Sequence, residues 1–93
     1  MTIRKISSDE LRQLKFSSRE VLTTFTERHD REIKLRSAMA YTNHEHDPVW
    51  MIVKLDNGEL VEFDSIMIDL EDDFVELHGG FAVPITAIYD VGV

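Results

Sequence analysis

The chain has 93 residues, of which 43% are hydrophobic and 30% charged, with no cysteine and a formal net charge of −8. This length predicts one domain, residues 1–93, that buries roughly 60–65% of the surface its unfolded form exposes. The lack of cysteine excludes disulfides, thiolate nucleophiles and cysteine-ligated zinc. No window approaches the roughly 20 apolar residues of a membrane span, and the charged N-terminus does not resemble a secretory signal. We therefore expect a cytoplasmic protein without a membrane partner.

The charge is distributed unevenly along the chain. Residues 1–46 contain nine basic and seven acidic residues, whereas residues 47–93 contain eleven acidic residues and a single basic one, Lys54. The net charge of −10 in the second half favours basic partners and repels the phosphates of nucleic acids. The alternative is that these acids only keep a small protein soluble.

The first third of the chain contains one helical signal and one ambiguous segment. Ser7 and Glu10 have the spacing of a capping box, and Leu11 and Leu14 follow at helical spacing, which predicts a short helix within residues 1–17. Residues 19–28 fit either a helix or a strand. Their β-branched side chains favour a strand, which would pair with the next segment through a turn at 29–30.

Residues 33–41 alternate in a period of two that predicts a strand with one buried face. The members of that face are Ile33, Leu35, Ser37, Met39 and Tyr41. Residues 42–48 are polar and end in proline, which predicts a loop.

Two strong strands follow, residues 49–55 and 59–68, and Asp56–Asn57–Gly58 joins them in a hairpin. The apolar pattern also predicts the turn. A three-residue loop with a left-handed Gly58 pairs Val53 with Val61 and Met51 with Phe63, so that both apolar faces point inward.

The last third predicts short strands separated by turns. An acidic turn at residues 69–73 leads to a strand at 74–78, and Gly79–Gly80 reverses the chain into residues 81–83. Pro84 ends that strand, residues 85–87 form a tight turn, and residues 88–91 form a closing strand. The predicted fold is mainly β (α+β): a helical segment at 1–17, then an antiparallel β domain at 19–93. That domain is a five- to six-stranded, strongly bent sheet or small barrel.

Three segments, KLDNGELVEF, ELHGGFAV and PITAIYDV, carry a resemblance to the SH3-like or Sm-like small barrel over roughly residues 33–93. The resemblance implies five short strands that curl until the last meets the first. The ending VPITAIYDV is also similar to the close of YolD-like proteins, although the N-terminal third does not match that family. Both resemblances concern shape, and shape does not determine function.

The main candidate site is an acidic surface for a basic protein. Its charged members are Glu62, Asp64, Asp69, Glu71, Asp72 and Asp73, and its apolar members are Trp50 and Ile52. Trp50 and Ile52 point away from the buried face of their strand. They are either covered by the N-terminal helix or exposed as an anchor of the kind enriched at binding hot spots.

A second candidate is a nucleic-acid-binding strip. Four cations cluster near one aromatic ring: Arg28, Arg31, Lys34, Arg36 and Tyr41. Such a strip is able to follow a phosphate backbone and stack one base. The alternative is that these cations pair with acids of the later strands.

A third candidate is a metal site at His44, His46 and Asp47, because two imidazoles at i and i+2 are able to bind zinc, nickel or copper. The alternative is a solvated loop, since no further ligand or supporting partner is evident. The chain contains no nucleophile elbow, H-E-x-x-H or phosphate-binding motif, so we expect no enzyme activity and no cofactor.

The leading hypothesis is therefore a small, non-enzymatic interaction or regulatory protein that binds a basic protein. The alternatives are a nucleic-acid-binding small barrel and a metal-binding protein. A homo-oligomer formed through an uncovered edge strand is a further possibility.

Overall fold

The computed structural model describes residues 2–93, which contain one α-helix, two short 3₁₀-helices and seven strands. The helix is α1 (Phe25–Glu45), and the 3₁₀-helices are Ser8–Gln13 and Ile85–Ala87. The strands are β1 (Ile3–Lys5), β2 (Val49–Lys54), β3 (Leu60–Ser65), β4 (Met67–Leu70), β5 (Phe74–Leu77), β6 (Phe81–Pro84) and β7 (Ile88–Gly92).

The strands form two sheets, one of four strands in the order β1-β3-β2-β7 and one of three in the order β4-β5-β6. All strand pairs are antiparallel except β1 and β3, which run parallel. A single residue, Ile66, separates β3 from β4, so one stretch of chain passes directly from the first sheet into the second. The predicted mainly-β, α+β class is confirmed at this level.

The central hairpin has the predicted three-residue turn. Met51 lies opposite Phe63 and Val53 opposite Val61, while the Leu55 N–H donates to the Glu59 carbonyl at 2.8 Å. Gly58 has a φ of +90°, the left-handed region that glycine enters without a steric penalty. The apolar alternation of the two strands thus determines the length of the turn, because shifting the register by one residue would move the apolar side chains from the buried face to the exposed face.

The core combines residues of both sheets with Leu35 and Ala38 of α1. The four-stranded sheet contributes the inward residues of β2, β3 and β7, and the three-stranded sheet contributes Met67, Val75, Leu77 and Val83. Ile6 and Leu11 also belong to this cluster. The N-terminal segment therefore contributes apolar side chains to the core.

Helix α1 replaces the strand predicted at residues 33–41, and it also includes the end of the ambiguous segment 19–28, so both strand predictions are wrong. The Thr24 hydroxyl accepts from the Glu27 N–H at 3.1 Å, and the Glu27 carboxylate accepts from the Thr24 N–H at 3.2 Å. This reciprocal capping box starts the helix. Lysine, arginine, leucine, alanine and methionine, which are strong helix formers, then extend it.

The buried face of α1 has helical rather than alternating spacing. Ile33, which the alternation places on the buried side, is 51% exposed. The buried residues recur every three or four positions: Arg31, Leu35, Ala38 and Thr42. Leu35 fits either period, which is why the two patterns are easily confused here.

The short helix predicted within residues 1–17 is present only as a 3₁₀-helix at Ser8–Gln13. Ser7 occupies the N-cap position, but its side chain makes no capping hydrogen bond. Six residues without a side-chain cap are too few to form a stable α-helix on their own, because helix nucleation is unfavourable.

Candidate functional site

The strongest concentration of free negative charge lies where β4 turns into β5. We call Asp69, Glu71, Asp72, Asp73 and Glu76 the acidic turn. The Glu71 N–H donates to the Phe74 carbonyl at 2.9 Å and closes the reversal. All five side chains are exposed. Within residues 2–93 none of them pairs with a basic side chain.

The carboxylates of the acidic turn lie close enough to affect one another. The pKa of Glu71 is raised above its ordinary value, mainly by its contact with the Asp69 carboxylate and by the negative charge there. Asp72 and Glu76 add smaller repulsions in the same direction. An added positive charge would relieve this repulsion, so the site electrostatically favours a cationic ligand.

The outer face of the four-stranded sheet carries the other two acids predicted to bind a partner, Glu62 and Asp64, and here they share one cation of the same chain. Lys5 donates to both Glu62 and Asp64 at 3.1 Å. Lys34 donates to Asp90 at 3.0 Å. These carboxylates are therefore less available to a partner than those of the acidic turn.

Trp50 and Ile52 lie on this outer face, yet they do not form a wide apolar patch. Ile52 is 9% exposed, and its cross-strand neighbours are Glu62 and Asp90. Trp50 is half-buried, with its indole against the backbone of Gly92: a methyl group added at that glycine would lie 2.5 Å from the ring. The structure thus leaves only part of one indole for a partner.

A groove of about 510 Å³ lies between α1 and β4, beside the acidic turn, and we call it the α1–β4 groove. Leu35, Leu70 and Ile85 line it with apolar side chains, and these belong to the core or pack against it. Glu71 and Asp72 also line the groove, so two members of the acidic turn stand beside exposed apolar surface.

The four cations of the predicted nucleic-acid strip lie on α1, and three of them are already paired. Lys34 donates to Asp90, Arg36 donates to Glu32 at 2.8 Å, and Arg31 is buried against Glu20. Arg28 alone has no ion pair within residues 2–93. The Tyr41 hydroxyl donates to Asp47 at 3.3 Å. This arrangement leaves little free positive charge to follow a phosphate backbone.

Arg31 forms the most buried ion pair described. Its guanidinium donates to the Glu20 carboxylate, at 2.8 Å through one nitrogen, and to the Ile88 carbonyl at 3.0 Å, while its buried Nε has no partner. Burial disfavours the charged carboxylate, but Arg31 and the Leu22 N–H outweigh it and hold the pKa of Glu20 below its ordinary value. The pair joins the segment before α1 to both the helix and β7.

The histidines predicted as metal ligands lie at the end of α1. The helix includes residues 42–45, so the predicted loop begins only at His46, which has a left-handed φ of 60°. The His44 ring is 3.7 Å from the Glu45 carboxylate, and Asp47 accepts from Tyr41. Across residues 2–93, no group of three or more histidine and acidic side chains is arranged to hold a metal ion.

Comparison of the chain with protein-family models, with curated proteins and with solved structures finds no match. The helices within residues 2–93 include none with the length and apolar character to cross a membrane.

Sequence reasoning named four members of the acidic turn, Asp69, Glu71, Asp72 and Asp73, but missed Glu76 and the groove beside the turn. Leu70 and Ile85 look like ordinary strand and turn residues, and Leu35 was assigned to a strand. The signal that would have revealed the helical wall is the Thr24–Glu27 capping spacing, followed by buried positions three or four residues apart.

Proposed function

We propose that this protein is a small, non-enzymatic interaction or regulatory protein of the cytoplasm, and that it binds a basic surface of another protein. The observation that carries the proposal is the acidic turn, whose five exposed carboxylates have no basic partner among residues 2–93. Clustered charge of one sign steers an oppositely charged partner and speeds its association.

The contrast between the acidic turn and the outer sheet face supports this assignment over a general role in solubility. Charges that serve solubility need only be spread over the surface. In this protein Glu62 and Asp64 share Lys5 and Asp90 pairs with Lys34, whereas the acidic turn concentrates charge to the point of raising the pKa of Glu71. An uncompensated cluster of this kind costs stability, which a basic partner would restore.

We also propose that the two sheets act as one small, strongly bent barrel that holds the acidic turn at its edge. Two features support this arrangement. Only Ile66 separates β3 from β4, and the last strand, β7, returns to pair with β2.

A pull-down from the native lysate, eluted in rising salt, tests the function. The bait is the full chain, and the test variant neutralises the acidic turn (Asp69→Asn, Glu71→Gln, Asp72→Asn, Asp73→Asn). The matched control removes the same number of charges from acids that already have an ion pair (Glu59→Gln, Glu62→Gln, Asp64→Asn, Asp90→Asn). Both bound protein and bound nucleic acid are identified.

The proposal predicts one enriched basic protein that moderate salt releases, that the control retains and that the test variant loses. A complex that resists salt, or that both variants retain equally, would contradict the electrostatic role of the acidic turn. Enrichment of nucleic acid instead of protein would replace the proposal with a nucleic-acid function centred on the α1 cations.

A further inference from the structure

The α1–β4 groove combines apolar surface with negative charge in one place. Leu35 is almost fully buried, and Leu70 and Ile85 are half-buried where the edge of the core meets solvent. The volume of about 510 Å³ lies within the range of roughly 300–1,000 Å³ that is typical of ligand pockets. The groove therefore has room for more than one side chain.

The charges around the groove do not cancel. Arg31 lines it but is neutralised by Glu20, and Arg36 pairs with Glu32 at 2.8 Å. Glu71 and Asp72 have no such partner within the described chain, and the neighbouring members of the acidic turn add to their field. The groove is thus acidic on its β4–β5 side, carries ion-paired charges on its α1 side, and has apolar side chains in its lining.

Long basic side chains match this combination, because lysine and arginine lay an apolar stem along apolar surface while the charged head stays in water or meets an anion. A purely apolar ligand would leave Glu71 and Asp72 unused, and a purely charged ligand would leave Leu70 and Ile85 uncovered. A polypeptide segment that places a basic side chain next to an apolar one meets both requirements.

We infer that the α1–β4 groove binds a linear segment of the partner protein in which a lysine or arginine is adjacent to an apolar residue. The basic head contacts Glu71 and Asp72, and the apolar residue covers Leu70 and Ile85. This inference rests on the proposed function and names the kind of partner segment that the site accepts.

Fluorescence anisotropy tests the inference with two labelled peptide probes of equal length and charge. One peptide alternates lysine with leucine, and the other alternates lysine with serine. Because burying a leucine side chain is worth about one to two powers of ten in affinity, we expect the leucine peptide to bind at least roughly tenfold more tightly.

Two pairs of variants locate the binding. Glu71→Gln with Asp72→Asn removes the groove charges, and Asp9→Asn with Asp56→Asn removes the same number of charges from exposed acids that neither line the groove nor belong to the acidic turn. Leu70→Ser changes the groove, and Ile68→Ser changes an exposed residue of the same strand outside it. The groove variants should each weaken the leucine peptide several-fold, and their controls should not.

Equal binding of the two peptides, or equal effects of each variant and its control, would overturn the groove as the site. The pull-down would still decide the proposed function separately, since charge on the acidic turn alone is sufficient for it. If Leu70→Ser lowers the melting temperature, the comparison of the two charge variants decides whether the groove is the site. Those variants change exposed side chains and should leave the fold intact. Failure of both peptides to bind would also overturn the inference.

Discussion

Replacing Glu20 with glutamine should destabilise the protein far more than the loss of an ordinary surface ion pair. The Arg31 side chain is 7% exposed and that of Glu20 is 25% exposed. The substitution would therefore leave a buried guanidinium without its counter-ion. In the wild type the Glu20 carboxylate accepts a hydrogen bond from the Leu22 N–H at 3.0 Å. Glutamine has nearly the same size, and its amide oxygen is able to accept the same hydrogen bond.

The size of the effect follows from this burial. Removing one partner of a fully buried pair costs about 3–5 kcal/mol, and the partial exposure of Glu20 reduces this to about 2–4 kcal/mol. A domain of this length has a total stability of about 5–10 kcal/mol. The melting temperature should therefore fall by roughly 10–30 °C.

Urea unfolding followed by circular dichroism measures the free energy of unfolding directly. The matched control is Glu32→Gln, which removes an exposed pair with Arg36 and should cost less than about 0.5 kcal/mol. A double variant, Glu20→Gln with Arg31→Met, should recover part of the loss because no buried charge remains unpaired. Equal effects of Glu20→Gln and Glu32→Gln would refute the reasoning.

The same pair predicts a pH dependence. The folded pKa of Glu20 lies below the ordinary value of 4.5. Its stabilisation is therefore fully present above the unfolded pKa and is lost as the pH falls through the lower folded pKa. The stability difference between the wild type and Glu20→Gln should be constant near neutral pH and shrink below about pH 4.5. A difference that stays constant in acid would mean that Glu20 does not interact with Arg31 through its charge.

Three further substitutions test local features. Gly58→Val should destabilise the protein by about 1–2 kcal/mol, because a side chain there meets no neighbour but is strained at a φ of +90°; an unchanged melting temperature would contradict the three-residue turn. Thr24→Ala should lower the free energy of unfolding in urea by about 1 kcal/mol, because it removes the capping box of α1. Thr26→Ala, at the second residue of the helix, should lower it less. Gly92→Ala should displace the Trp50 indole, so the fluorescence of this single tryptophan should shift to longer wavelength; an unshifted spectrum would mean that the ring does not lie against Gly92.

Most strands after residue 48 could be predicted because their signals are local, but the single strand predicted at 59–68 is wrong: it divides at Ile66 into β3 and β4, which belong to different sheets. Alternation within β2 and β3 defines the buried faces, Gly58 permits the left-handed turn, and Pro84 ends β6 because it lacks an N–H for the next ladder bond. Each of these signals acts within a few residues, so the sequence alone contains the information.

Helix α1 and the groove could not be predicted in the same way, because they depend on distant parts of the chain. The burial of Arg31 makes sense only once Glu20 is known to reach it from the segment before the helix. The α1–β4 groove likewise exists only because Leu35, Leu70 and Ile85 come from three separate elements. An alternating pattern also coincides with helical spacing at Leu35. The one local signal for the helix, the Thr24–Glu27 capping spacing, lies before the alternating segment 33–41, and the packing against β4 and β7 shows that the helix continues through it.

The central claim is that the acidic turn is the part of this surface that is free to bind positive charge. The most direct test is a titration of the isotope-labelled protein with polylysine, followed by two-dimensional amide NMR spectra. We expect the resonances of residues 69–76 to move first and furthest, and added salt to reverse the change. Equal movement at Glu62 and Asp64, which already share Lys5 as an ion-pair partner, would contradict this expectation.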